Sequence, residues 1–295
     1  MHPVLDDLIT LLRLERIEEN IFRGESRDIG SAQVFGGQVL GQALSAAQHT
    51  VEGRVAHSLH AYFLRRGDME APIVYEVDRA RDGGSFSNRR VVAIQHGRPI
   101  LNLAASFQGP EPGIEHQASM PDVAGPDECK DILEVESDNV QKMPEKMRRH
   151  MADKRAFEIR PVVSADAREA PMKNVWFRAV DSLPDDSALH QNLLAYVSDY
   201  ELLGVSTITH NLPFDKGAVI MASLDHALWF HREVHIDQWL LYAMDSPSAS
   251  GARGFSRGQL FSEDGELVAS TAQEGLVRVV KAGSRSKRSH PSDQV

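Results

Sequence analysis

The chain has 295 residues, 42% hydrophobic and 25% charged, the proportions of an ordinary globular protein and long enough for two domains. Lys and Arg number 32 against 42 Asp and Glu, and the resulting net charge of −10 argues against nucleic acid as a partner. A single cysteine, Cys129, excludes an internal disulfide and a multi-cysteine zinc site, and is read as a structural thiol. No apolar run reaches the roughly 18–20 residues that cross a bilayer. Met1-His2-Pro3 with Asp6 and Asp7 lacks a signal-peptide pattern, so the sequence reads as cytosolic.

Pro3 followed by Leu5, Leu8, Leu11, Leu12 and Ile17 predicts a short amphipathic helix. A second helix is expected over Val39, Leu40, Ala43, Leu44 and Ala47, preceded by Phe35-Gly36-Gly37-Gln38, whose small residues suit close packing against a sheet. Four strand-like runs follow: His57 to Arg65, Ile73 to Arg79, Phe86 to Gln95 and Ile100 to Gln108. Glycine-containing turns separate them, so one helix and an antiparallel meander form an α+β unit.

The periodicity fails from Gly109 to Arg155, a Pro-rich and acidic stretch read as a linker with one short helix near Met143 to Met151. Strands are then expected at Phe157 to Val163 and Val175 to Val180, and a helix from Leu189 to Leu203. Further strands at Ala218 to His231, Gln238 to Met244, Gly254 to Ser262 and Leu267 to Val280 complete a second unit with the same element order. The organisation is a first unit at 1–109, a linker at 110–155, a second unit at 156–281 and a disordered basic tail at 282–295.

Local matches support a duplication. Ser58-Leu59 matches Ser223-Leu224, and Ala104 to Gln108 matches Ala269 to Gln273, both at an offset of 165 (223 − 58 and 273 − 108). Applied to Asp199, the same offset lands on Val34 (199 − 165 = 34), which suggests one working site and one relic.

Gly254-Phe255-Ser256-Arg257-Gly258 has the spacing of a serine-hydrolase nucleophile elbow, but an elbow needs a following helix, and here strand and turn continue. His57 with His60, and His226 with His231, are separated by odd numbers on strands and point to opposite faces, so no metal site is expected. Three polar residues remain at core positions: Asp199 among Leu193, Leu194, Val197, Leu202 and Leu203, Ser223 in an apolar strand, and Gln273 after Val268-Ala269. Buried polar groups need partners, so the three can converge on one another or on a water; capping, solvent exposure and backbone bonding are the alternatives.

Ala222 to His231, Trp239 to Tyr242, Ser248 to Gly254 and Ala269 to Gly275, with Phe35 to Gln38, His57 to Phe63 and Ala105 to Gln108 in the first half, resemble the type II acyl-CoA thioesterase (TesB-type) family. The resemblance runs from Leu5 to Val280. It implies a double hotdog fold, in which two tandem units each wrap a curved antiparallel sheet around a long helix. It also implies an enzyme of lipid metabolism that hydrolyses fatty acyl-CoA with Asp199, Ser223 and Gln273 as catalytic residues, without cofactor or metal, in a homo-oligomer.

Position 223 is Thr in many bacterial members and Ser here, as in peroxisomal relatives, so the hydroxyl is kept. Those relatives end in a targeting tripeptide, whereas this sequence ends Asp293-Gln294-Val295 and no peroxisomal address is expected. Arg253, Arg257 and the basic tail are the candidate contacts for the CoA phosphates. The rival readings are a hotdog hydratase or dehydratase, with His60 as its nearest acid/base candidate, and a non-catalytic acyl-CoA-binding protein.

Overall fold

The computed structural model describes residues 1–31, 33–135, 145, 148–149, 152, 155–163, 170–210, 212 and 219–280. The helix expected near Met143 to Met151 falls largely outside them, and the basic tail from Lys281 wholly so. No described helix is long and apolar enough to cross a membrane.

The first half opens with α1 (Pro3–Leu12), whose Leu5, Leu8, Ile9, Leu11 and Leu12 are buried. Two short strands follow, β1 (Glu15–Glu18) and β2 (Ile21–Gly24), which the sequence reading missed because β1 is exposed along its whole length. Helix α2 (Gly36–Gln48) comes next, and every residue from Gly37 to Ala47 is buried. A helix buried on all sides belongs inside a sheet rather than upon it.

The meander β3 (Val55–Phe63), β4 (Ile73–Asp82), β5 (Phe86–Gln95) and β6 (Arg98–Gln108) wraps it, within three residues of the expected limits. The second half repeats this with β7 (Phe157–Pro161), β8 (Met172–Ala179), α4 (Ser187–Val197), β9 (Val219–Ser223), β10 (Asp225–Phe230), β11 (Leu240–Ser250), β12 (Arg253–Ser262) and β13 (Leu267–Val279). The stretch between them contains α3 (Ile132–Val135) and lies along the second half: Trp176 Nε1 donates to Ala124 O at 2.8 Å, and Gln117 Nε2 donates to Gly265 O at 2.8 Å.

The thirteen strands among the described residues join one antiparallel sheet, ordered β1-β2-β4-β5-β6-β3-β10-β13-β12-β11-β8-β7, with β9 also on β13. The halves meet at β3 and β10, where Leu59 faces Leu228 and Ala61 faces His226. Inside, α2 and α4 pack so closely that a Cβ on Gly41 would lie 2.9 Å from Asn192 O, and one on Gly37 2.1 Å from Tyr196 O. These glycines let the start of α2 lie against the end of α4, which is what brings the first half to the site.

Two differences from the sequence reading bear directly on function. The helix expected from Leu189 to Leu203 stops at Val197, and α5 (Leu202–Val205) begins only after a break. Asp199 therefore lies beyond the helix rather than upon it, in a turn closed by Glu201 at a left-handed φ of 67°. The strand expected from Ala218 to His231 is two strands, β9 (Val219–Ser223) and β10 (Asp225–Phe230). At the break, Phe63 N–H donates to Leu224 O and Leu224 N–H to Glu274 O, both at 2.9 Å.

Candidate active site

The breaks in α4 and in the β9/β10 strand face each other. Gln273, on β13 and 0% exposed, lies between them. Its Nε2 donates one hydrogen to Asp199 Oδ1 at 2.7 Å and the other to Ser223 Oγ at 3.2 Å. The three side chains singled out in the sequence, 74 positions apart at the widest, thus form one chain of hydrogen bonds. Gln273 Oε1 and the Oγ of Ser256, the residue opposite Gln273 on β12, are buried without a partner among the described residues.

Asp199 is only partly exposed. Around it, the Phe35 ring stacks on Tyr200 at 4.9 Å and meets Tyr196 edge-on at 5.0 Å. Burial disfavours the charged form and pushes the Asp199 pKa up to about 6, against the opposing effects of the Gln273 amide and the Gly37 N–H. That N–H belongs to the first turn of α2, whose partial positive charge faces the carboxylate and whose N-cap Phe35 makes no side-chain bond to it. A Cβ on Gly36 would lie 2.6 Å from Asp199 Oδ2. Adjacent glycines ahead of an apolar helical run were the visible signal; that they touch the other half was not readable.

A second network holds the turn from behind. Ser198 Oγ meets His226 Nε2 at 2.9 Å, Tyr242 OH donates to Ser198 O at 2.9 Å, and the same hydroxyl meets Thr271 Oγ1 at 2.9 Å. His226 is fully enclosed, and burial pulls its pKa down to about 3, so it is neutral at physiological pH. None of these residues was singled out as a support in the sequence.

A pocket of about 260 Å³ reaches this site, with Gly36, Phe63, Ser223 and Leu224 among its lining residues. His60, the candidate for hydratase chemistry, is exposed against the Trp229 ring and does not line the pocket. Ser256 is buried in the middle of β12, so the apparent elbow is a strand. Of the candidate phosphate contacts, Arg253 already pairs with Glu274 at 2.8 Å and Arg257 with Asp245 at 2.5 Å.

The relic site needs a larger correction. Val34 precedes α2, whereas Asp199 stands two residues past the end of α4; two residues past the end of α2 is Thr50. Ser58 and Gln108 are not joined either: Gln108 Nε2 donates to Glu111 Oε2 at 3.2 Å, and among the described residues no hydrogen bond links it to Ser58.

Comparison with known proteins agrees with this architecture. Residues 23–108 match the model of the acyl-CoA thioesterase N-terminal domain, and residues 147–276 that of acyl-CoA thioesterase. Acyl-CoA thioesterase 2 of Haemophilus influenzae is 43% identical over 94% of this chain and 99% of its own length. Human acyl-coenzyme A thioesterase 8 is 40% identical over 94% and 91% respectively. The crystal structure of an acyl-CoA thioesterase II from Mycobacterium marinum superposes with a TM-score of 0.78 at 41% identity, covering 92% of this chain and 98% of that one. The fold is a double hotdog, and the chain belongs to the acyl-CoA thioesterase family.

Proposed function

We propose that the protein hydrolyses acyl-CoA to a free acid and CoA by direct attack of water, with Asp199 as general base and Ser223 and Gln273 orienting the nucleophile. The observation that carries this reading is the single Gln273 amide bonded to both Asp199 and Ser223. An ordinary aspartate, with a pKa near 3.9, is a weak base at neutral pH; one raised to about 6 is mostly ionised at pH 7 yet accepts a proton far more readily.

Asp199 takes a proton from the water as its oxygen bonds to the thioester carbon. The tetrahedral oxyanion lies against the uncapped first turn of α2, where Gly36 lines the pocket. The carbon–sulfur bond then breaks, and the proton held by Asp199 passes to the departing thiolate. In this reading residues 156–281 form the unit that carries the polar trio, 1–109 the unit that supplies the helix start, and 110–155 the connection between them.

The direct test is release of free thiol from acyl-CoA of several chain lengths. Asp199→Asn keeps the shape and removes the base, and should lower kcat by about 10² to 10⁴. An Asn variant as fast as the native protein would overturn the assignment.

A further inference from the structure

The pocket that reaches Ser223 has a basic edge. Its lining includes Arg65 and Arg66, both exposed, in the loop that follows β3. This loop is built rather than loose. Leu64 N–H donates to Ile100 O at 2.8 Å, and Val34 N–H to Gly67 O at 3.1 Å. The buried Gln95 accepts from Asp68 N at 2.8 Å and donates to Asp68 O and Ala71 O, also at 2.8 Å. A Cβ on Gly67 would lie 2.9 Å from Val34 Cβ, so the loop is pressed against the segment leading into α2.

Among the described residues, no carboxylate forms an ion pair with either guanidinium. Arg65 donates one N–H to Pro99 O at 2.7 Å, which holds its head in place, and among the described residues its other donors and the whole Arg66 side chain make no further bond. The nearest acid in sequence, Asp68, is engaged by His96 at 2.9 Å and by Glu70 N–H, also at 2.9 Å. Arg23, Arg27, Arg79, Arg90, Arg253 and Arg257 each meet a carboxylate, and the other exposed arginines without an ion pair among the described residues, Arg13, Arg16, Arg81, Arg98 and Arg278, do not line this pocket. In a chain of net charge −10, two adjacent unneutralised arginines on the rim of the active-site pocket are a local reversal of field.

We infer that Arg65 and Arg66 form the phosphate-binding site for the CoA portion of the substrate, the Arg66 guanidinium meeting phosphate directly and Arg65 from its fixed position beside it. The inference rests on the acyl-CoA reading above and names the residues that recognise the part of the substrate remote from the thioester. Arginine suits this task because its planar head presents paired donors to phosphate oxygens. Remote binding of this kind secures the substrate while Asp199 acts on the carbonyl.

The test uses one acyl group on three carriers: CoA, 4′-phosphopantetheine and pantetheine, which carries no phosphate. For Arg66→Ala and Arg66→Glu, kcat/KM on acyl-CoA should fall about tenfold and about a hundredfold, through KM. The ratio of acyl-CoA to acyl-pantetheine activity should collapse toward one. Adding salt should produce the same collapse in the native enzyme. The phosphopantetheine arm tells whether the first phosphate or the nucleotide phosphates are held.

Equal losses on acyl-CoA and acyl-pantetheine would mean a structural role and overturn the inference, as would unchanged activity on acyl-CoA. Calorimetric titration with CoA itself separates the two proposals. A native protein that hydrolyses no acyl-CoA yet loses CoA affinity in Arg66→Glu refutes the catalytic reading and keeps the phosphate site. CoA affinity untouched by Arg66→Glu refutes the phosphate site alone.

Discussion

Two residues beyond its long central helix, the first half of the chain carries Thr50 and the second carries Asp199. Thr50 itself is fully bonded, its hydroxyl donating to Ala47 O at 2.7 Å. Arg89, 2% exposed, donates Nε to Thr50 Oγ1 at 2.8 Å and Nη2 to Thr50 O at 2.9 Å, and pairs with Asp82 at 2.7 Å. Around Asp199 the corresponding strand of the second half, β12, turns only Gly254, Ser256 and Gly258 inward near its middle, and the space beside the glycines is taken by Ser206 and by Tyr242 with Thr271. One spot in the fold has thus been closed with a guanidinium and made inert. The other keeps a carboxylate that is neither fully solvated nor neutralised, and reactivity and instability share that cause.

The largest effect that tests this contrast is Asp199→Asn, which should slow thioester hydrolysis by about 10² to 10⁴ while raising stability. The folded-state pKa of about 6 exceeds the ordinary value of 3.8, so the folded protein holds the extra proton between roughly pH 4 and 6. Stability therefore falls as pH rises through that window, by up to about 3 kcal/mol. At pH 7.5 Asp199→Asn should be more stable in chemical unfolding by about 1–3 kcal/mol, and an Asn variant less stable than the native chain would refute the burial argument. Adding Thr50→Asp to this variant should restore no activity, because Arg89 would neutralise the new carboxylate.

Next in size is Gly36→Ala, which drives a methyl group toward Asp199 Oδ2. We expect kcat to drop at least tenfold with the overall fold kept by circular dichroism; full activity would mean that the start of α2 is no part of the site.

Gln273→Glu places a second acid 2.7 Å from the first, where like charges resist joint ionisation. The acidic limb of the kcat/KM profile, expected near pH 6 in the native enzyme, should move to higher pH, and a profile that stays put would separate Gln273 from the base. Arg89→Ala should cost about 2–3 kcal/mol of stability through its lost buried hydrogen bonds while changing kcat less than twofold. Smallest is the response to hydroxylamine: with water attacking directly, no acyl hydroxamate should derive from the enzyme, and a trapped acyl-Asp199 would replace the mechanism with a covalent one.

Much of this was legible in the sequence because burial writes itself into alternation and helical spacing. Phe86–Gln95 reads as a strand from end to end, and the α2 core positions fall where the apolar residues recur. Asp199, Ser223 and Gln273 stood out as polar residues among apolar ones, and the family resemblance gave them a common purpose. The breaks beside Asp199 and Ser223 were hidden, since Leu202 and Leu203 continue the helical apolar pattern beyond Val197 and Leu224 continues the strand pattern beyond Ser223. A single repeat offset misled for a similar reason. Gln48 and Val197, which end the two helices, are 149 positions apart (197 − 48), and the hairpin glycines Gly97 and Gly265 are 168 apart (265 − 97). Loops and bulges changed length between the copies, so no one subtraction aligns them.

The meeting of Gly37 with Asp199 also bears on how the two copies can diverge. With Thr50 where the second copy carries Asp199, the first copy is still not free to drift, because the amide that steadies Asp199 is its contribution. With Asp199 as the proposed base, splitting the gene between the repeats would leave two polypeptides with no turnover of their own, and selection on chemistry in one would preserve backbone shape in the other.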